Sequence, residues 1–113
     1  MQIAVIGAGL AGLACARLLA AQGHEVCLFE KSEQPSGRMN THETESGGFD
    51  YGAQYFTTTS DAFKKEVASW KKAGVVDVWQ GKLVNLQDGK ASSSGRARPR
   101  YVAVPSMAAL GQH

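Results

Sequence analysis

The chain has 113 residues, of which 43% are apolar and 19% charged. This composition is typical of a globular domain with one hydrophobic core, and it excludes an intrinsically disordered tail. Twelve basic and ten acidic residues give a net charge of +2, so the sequence lacks the strongly basic field of a general nucleic-acid binder.

The one locally basic stretch contains Arg96, Arg98 and Arg100 in a Ser- and Gly-rich segment without interleaved aromatic residues. We interpret it as a solvated loop and expect no nucleic-acid partner. The opening apolar stretch has no basic segment before it and is interrupted by glycines, so we do not expect a signal sequence, and no apolar run reaches the ~20 residues of a membrane span. The sequence therefore predicts a cytoplasmic protein with no membrane partner.

The cysteines and histidines are scattered rather than clustered. Cys15 and Cys27 lie inside the apolar pattern of the opening segment and have no His or Cys neighbours at metal-ligand spacing. We therefore predict buried, reduced thiols and no metal site.

The opening segment predicts a βαβ unit. Residues 3–6 form a short apolar run with β-branched side chains, which is typical of a strand buried on both faces of a parallel sheet. Residues 10–22 are rich in Ala and Leu and predict a helix that Gly23 ends. Residues 24–30 predict the second strand. Together they make a complete βαβ unit in about thirty residues.

The chain then changes character. Residues 31–40 contain Pro, Ser and Gly and predict a loop, and residues 41–44 and 49–51 predict a small hairpin. A second helix is expected between Ser60 and Gly74, with an apolar face made by Phe63, Val67 and Trp70.

The last part predicts an antiparallel sheet separate from the parallel one. Strands are expected over residues 75–80, 83–86 and 101–104, with a turn at Asp88-Gly89. Ser106 is the expected N-cap of a further helix, and the sequence stops within about two turns of it. We expect the chain to be the N-terminal part of a longer protein.

The glycines after the first strand indicate a pyrophosphate site. In Gly7-Ala8-Gly9-Leu10-Ala11-Gly12, Gly7 permits a tight turn, Gly9 lets phosphates approach, and Gly12 lets helix and strand pack closely. Ala11 falls at the helix start, whose free N–H groups and positive dipole stabilise an anion. Glu30 ends the second strand eighteen residues after Gly12, where an acid accepts hydrogen bonds from an adenosine ribose.

This fingerprint alone does not distinguish NAD from FAD, because both present the same ADP half. The residues that follow favour FAD. An ordinary nicotinamide dehydrogenase continues with alternating strands and helices, whereas this chain enters a loop and a hairpin after Glu30.

The sequence resembles the flavin-containing amine oxidase superfamily, and within it the renalase-like FAD oxidoreductases of bacteria. The resemblance rests on the opening fingerprint, on Ser36-Gly37-Arg38-Met39-Asn40-Thr41 and on Phe49-Asp50-Tyr51-Gly52-Ala53-Gln54-Tyr55-Phe56. The superfamily has Gly-Gly-Arg where this chain has Ser36-Gly37-Arg38.

The resemblance implies roles for several residues. Arg38 would approach the pyrophosphate, and Lys31 would flank the adenosine or remain solvated. Gln54 would meet the polar edge of the flavin ring, and Tyr55 would form an aromatic wall beside it. Phe56 belongs either to that wall or to the core.

The resemblance also implies a fold and an activity. The fold would be α/β, a Rossmann-like FAD/NAD(P)-binding portion over residues 1–80, with the start of an antiparallel substrate-domain sheet over residues 81–113. The activity would be FAD-dependent oxidation by O2, which yields H2O2, of dihydro isomers of NAD(P)H or of amines. The catalytic residues are not identified.

Two alternatives remain from the sequence. One is another flavoenzyme, such as a monooxygenase or a carotenoid desaturase. The other is a non-catalytic fragment that binds only the dinucleotide. Because a parallel sheet needs covering on both faces, we expect residues 1–113 alone to expose apolar surface and to retain FAD poorly.

Overall fold

The structure, a computed structural model, describes residues 1–93 and 98–113. Arg96 of the basic run lies outside the described residues. In chain order the elements are β1 Gln2–Ile6, α1 Leu10–Ala21, β2 Glu25–Phe29, a 3-10 turn Gly37–Met39, β3 Thr41–Thr44, β4 Gly47–Asp50, α2 Asp61–Lys72, β5 Val76–Val78, β6 Val84–Gln87, β7 Lys90–Ser93, β8 Tyr101–Ala103 and α3 Ala109–Gln112.

The predicted βαβ unit is confirmed. Strands β1 and β2 pair in parallel, with Gln2 opposite Glu25 and Ile6 opposite Phe29. Helix α1 ends before Gly23, whose φ of +84° is the left-handed conformation expected of a C-terminal glycine. The unit brings the carboxyl ends of both strands to one edge of the sheet, where the candidate site lies.

The expected burial of this unit is wrong in two respects. The strands alternate between half-buried and exposed residues rather than being buried on both faces, and Ile6 at the end of β1 is 89% exposed. Cys15 and Cys27 are exposed and not buried. The reason is geometric, since one helix can cover only one face of a two-stranded sheet.

The apolar surface expected from the sequence is therefore present. Phe29 and Leu18 are among the exposed large side chains of the βαβ unit. The Cα radius of gyration is 16.8 Å, larger than the ~13 Å of a compact 100-residue domain. None of the helices that the structure describes combines the length and the apolar character needed to cross a membrane.

The hydrophobic core lies around α2 and not in the βαβ unit. Ser60 caps α2 through its hydroxyl, which accepts the N–H of Phe63, and the predicted apolar face of α2 contributes Val67 and Trp70 to the core. The buried core residues are Met39, Val67, Trp70, Val76, Ala103, Met107 and Leu110.

Three antiparallel pairs complete the fold: β3 with β4, β5 with β8, and β6 with β7. The pairing of β5 with β8 brings Val76 opposite Ala103 across the core. The expected N-cap at Ser106 is wrong, because a turn intervenes and α3 begins only at Ala109. The carbonyl of Ser106 accepts the Ala109 N–H in that turn.

Candidate functional site

The turn between β1 and α1 requires two of its glycines. Gly7 has a φ of +95°, a conformation that residues with a Cβ rarely adopt. A Cβ on Gly12 would lie 1.9 Å from the carbonyl oxygen of Gly7, so only glycine lets α1 begin this close to β1. The expected tight turn and close helix–strand packing are both present.

Gly9 differs, because its surroundings are open. It has an ordinary backbone with φ of −74°, and a Cβ there would meet no atom of the described residues within 4 Å. A side chain would fill the space in front of the first turn of α1, where Leu10 and Ala11 present backbone N–H groups. An open cradle at a helix N-terminus fits the pyrophosphate of a dinucleotide.

Glu30 follows β2 and is fixed by three hydrogen bonds. Its carboxylate accepts the N–H of Ser32 at 2.9 Å and the Ser32 hydroxyl at 2.7 Å, and the N–H of Ala8 at 2.6 Å. These bonds, the Ser32 hydroxyl foremost, lower the pKa of Glu30 from 4.5 to about 2. The carboxylate is therefore ionised at neutral pH and can accept ribose hydroxyls; Lys31 beside it is exposed.

The loop that carries Arg38 lies against the glycine turn. The Ser36 N–H donates to the Ala8 carbonyl at 2.8 Å, and a Cβ on Gly37 would lie 3.2 Å from the Cα of Gly9. Ser36, which replaces the superfamily's glycine, has a φ of +114° and is buried. Arg38 is exposed at the edge of this junction.

The stretch that contains Gln54 and Tyr55 is attached to the same loop. The Ala53 N–H donates to the Arg38 carbonyl at 2.8 Å, and a Cβ on Gly52 would lie 2.0 Å from that oxygen. Backbone contacts thus connect the glycine turn, the Arg38 loop and residues 52–55. Gln54 is exposed.

Tyr55 and Phe56 point to different environments. Tyr55 is 43% exposed. Phe56 lies 5.8 Å from Phe63 and 5.7 Å from Tyr101 between ring centres and packs against the core. Of the two roles left open by the sequence, the structure assigns Phe56 to the core.

Sequence reasoning missed two neighbours of Tyr55. Trp79 lies parallel to it, with ring centres 6.2 Å apart and an interplanar angle of 8°. The guanidinium carbon of Arg100 lies 4.8 Å from the centre of the Tyr55 ring. Arg100 belongs to the run interpreted as a solvated loop; it lies in a loop before β8 but is half-buried against Tyr55 and not fully solvated. Only the non-local contacts of β8 with β5 and Phe56 could have shown it.

A pocket of about 510 Å³ lies between residues 32–34, β3 and residues 105–112. Its lining includes Ser32, Glu33, Tyr51 and Gln112. One lining residue, Ser32, is two positions from Glu30 in sequence. The lining contains none of the predicted cofactor residues, which are Gly7, Gly9, Ala11, Gly12, Glu30, Lys31, Arg38, Gln54 and Tyr55.

Comparison with known proteins supports a dinucleotide site. The family of NAD(P)-binding Rossmann-like domains matches residues 5–69, more than half of the chain. Over 52 residues the chain is 54% identical to 4,4'-diapophytoene desaturase (4,4'-diaponeurosporene-forming) of Staphylococcus haemolyticus, and equally to that of Staphylococcus aureus strain Newman. Those matches cover 46% of this chain and 10% of each desaturase.

Solved structures support the same fold. Putrescine oxidase, in its wild-type form bound to putrescine, superposes with a TM-score of 0.59 at 22% identity, over 84% of this chain and 22% of that one. The PF1083 protein from Pyrococcus furiosus superposes with a TM-score of 0.57 at 28% identity, over 80% and 24% of the two chains. The expected Rossmann-like α/β fold is confirmed, and the chain spans less than a quarter of either structure.

Proposed function

Since the chain belongs to the family of NAD(P)-binding Rossmann-like domains, we propose that it forms the FAD-binding part of an FAD-dependent oxidoreductase. One observation carries the proposal. Two backbone hydrogen bonds, from Ser36 to Ala8 and from Ala53 to Arg38, join the glycine turn to a loop and a hairpin-linked stretch. An ordinary nicotinamide dehydrogenase has a further helix and strand at this point.

Each part of the joined surface has a role toward the cofactor. The N–H groups at the start of α1 hold the pyrophosphate over Gly9, and Glu30 accepts hydrogen bonds from the adenosine ribose, flanked by Lys31. Arg38 adds a planar cation for the phosphates. Gly52 and Ala53 let the backbone approach the flavin ring, Gln54 reaches its polar edge, and Tyr55 forms a wall. When bound, FAD would supply the group that accepts a hydride from the substrate and that O2 then reoxidises.

The finer assignment is a renalase-like oxidase. We propose that the substrate is a dihydro isomer of NAD(P)H, which is oxidised to NAD(P)+ as O2 is reduced to H2O2, in the cytoplasm. The resemblance in residues 36–41 and 49–56 supports this assignment. We further propose that residues 1–80 belong to the FAD-binding portion and residues 81–113 begin the substrate domain, with β8 paired to β5 where the two meet.

A flavin-dependent desaturase or amine oxidase is the second candidate. The 54% identity to diapophytoene desaturases favours it, but that match spans only 52 residues and 10% of the desaturase. The bound putrescine in the oxidase belongs to a protein that is 22% identical, so it supports the fold only. A non-catalytic dinucleotide-binding fragment is the alternative from another class.

The test uses protein expressed from the whole reading frame. Its visible absorption spectrum is recorded during anaerobic titration with dihydronicotinamide isomers and, in parallel, with putrescine. Bleaching by the dihydronicotinamides, with recovery and peroxide when air is admitted, supports the renalase-like assignment. Bleaching by putrescine supports an amine oxidase. A yellow protein bleached by neither contradicts the renalase-like and the amine-oxidase assignments and favours the desaturase. A colourless protein that binds only NAD contradicts the flavoenzyme proposal.

A further inference from the structure

Tyr55, exposed Trp79 and half-buried Arg100 form a cluster outside the glycine turn, the aromatic–arginine cluster. The two rings are parallel, and the guanidinium lies over the tyrosine. Tyr55 is 43% exposed and Trp79 is 37% exposed. Both rings therefore present aromatic surface that the core does not use.

The backbone around the cluster holds it in place. The Trp79 N–H donates to the Arg100 carbonyl at 2.8 Å. The Phe56 N–H donates to the Tyr101 carbonyl at 2.9 Å, and the Tyr101 N–H donates back at 2.8 Å, which ties Tyr55 to Arg100 through their chain neighbours. A Cβ on Gly81 would lie 2.4 Å from the Trp79 ring, so glycine is what lets the indole lie there.

The charge of the cluster is positive. A small cavity beside it is lined by residues that include Trp79, Arg98 and Arg100. The cations in the ion pairs of the described residues are Arg17, Lys64 and Lys71. Within that part of the chain, Arg98 and Arg100 are therefore not paired with an acid, and their guanidinium groups can bind an anionic ligand. Cationic amines are repelled here, whereas a phosphate group is attracted.

We propose that the aromatic–arginine cluster is a substrate-recognition site for a planar ring that carries a phosphate, with the ring on Tyr55 and Trp79 and the anion on Arg98 and Arg100. The inference rests on the proposed function, since Tyr55 belongs to the stretch assigned to the flavin. It makes Arg100 a determinant of specificity that favours anionic dinucleotides over amines.

The experiment measures binding to the FAD-saturated protein from the whole reading frame, by calorimetric titration with NAD+, nicotinamide, inorganic pyrophosphate and putrescine. The variants are Arg100→Gln and Arg100→Lys, and Lys65→Gln on the exposed face of α2 is the charge-matched control. We expect Arg100→Gln to raise the Kd for NAD+ by on the order of tenfold. Arg100→Lys should retain part of the affinity and Lys65→Gln all of it. The wild-type affinity should fall as salt rises.

Three results would overturn the proposal: wild-type protein that binds putrescine more tightly than NAD+, an Arg100→Gln variant with unchanged NAD+ affinity, or a control that loses as much as Arg100→Gln. The flavin content of each preparation is measured separately and tests the proposed function. Gly9→Val is titrated with NAD+ as well, and a protein that is colourless as purified, with NAD+ affinity lost in Gly9→Val and unchanged in Arg100→Gln, would refute both proposals. A colourless protein whose NAD+ affinity depends on Arg100 would refute only the proposed function.

Discussion

Ala8 and Glu30 connect the carboxyl ends of the two parallel strands: the backbone N–H of Ala8 donates to the Glu30 carboxylate at 2.6 Å. Ala8 lies in the glycine turn and is buried, and its carbonyl accepts the N–H of Ser36 at 2.8 Å. One residue therefore joins the proposed ribose acceptor, the proposed phosphate cradle and the loop of Arg38.

The contribution of Glu30 to stability depends on pH. Its pKa falls from 4.5 to about 2 on folding, so the folded state favours the ionised carboxylate. The stabilisation is complete above about pH 4.5 and is lost as the pH falls toward 2. Urea unfolding of wild type and Glu30→Gln should show a stability difference that is constant from pH 5 to pH 8 and smaller at pH 3. A difference that is the same at pH 3 and pH 7 would contradict this account.

Substitutions at Gly9 and Gly12 should affect different properties: FAD affinity at Gly9 and folding stability at Gly12. Gly9→Val places a side chain in open space, so its unfolding free energy should stay within about 1 kcal/mol of wild type. Its Kd for FAD should rise on the order of 100-fold, because the phosphates lose their N–H contacts. Gly12→Ala collides with the Gly7 carbonyl and should lose at least about 2 kcal/mol of stability. Urea unfolding and FAD titration measure both; equal stability of the two variants would refute the assignment.

The elements with local signals were predictable from the sequence. Periodicity and capping gave α2 within a residue or two of its ends, and the Asp88-Gly89 turn has the positive φ angles expected there. The β5–β8 pairing was not predictable in the same way, because it joins strands whose paired residues lie some twenty-five positions apart in the chain. The position of Arg100 over Tyr55 depends on that pairing.

Burial was less predictable than element type. The apolar run in β1 reads as a doubly covered strand, yet what covers a strand is set by the elements that pack on it and not by the strand itself. For the same reason Cys15 and Cys27 are exposed although their apolar neighbours in sequence predict burial. At the site, sequence spacing identified Gly7, Gly12 and Glu30. The structure gives Gly7 a positive φ, places Gly12 against the Gly7 carbonyl, and puts the Glu30 carboxylate at the glycine turn.

The left-handed backbone conformation of Ser36 should lower the unfolding free energy measurably. Its hydroxyl donates to the Ala108 carbonyl at 2.9 Å in a buried environment, and its φ is +114°. Ser36→Ala removes the hydrogen bond and keeps the strain, so it should lose about 1–3 kcal/mol. Ser36→Gly also removes the bond but relieves the strain, and it should be more stable than Ser36→Ala by about 1 kcal/mol. Chemical unfolding of the pair tests this; an alanine variant as stable as the glycine variant would disprove it.

Alanine substitutions at the neighbouring residues Tyr55 and Phe56 should have different effects, on the cofactor at Tyr55 and on stability at Phe56. Phe56→Ala removes a ring that packs against Phe63, Trp70 and Tyr101 and should cost about 3 kcal/mol. Tyr55→Ala removes an exposed ring and should cost under about 1 kcal/mol while it shifts the visible flavin spectrum. Thermal unfolding and absorption spectra distinguish the two. A Tyr55→Ala protein with an unaltered flavin spectrum would place Tyr55 away from the ring.

Whether the glycine turn holds a flavin is tested by the flavin content of the protein purified from its whole reading frame, measured by visible absorption for wild type and Gly9→Val in parallel. We expect one FAD per wild-type chain, absorbing in the blue, and a folded but colourless Gly9→Val variant. A colourless wild-type protein that binds NAD through the same turn would contradict it, and so would a Gly9→Val variant that holds FAD as well as wild type.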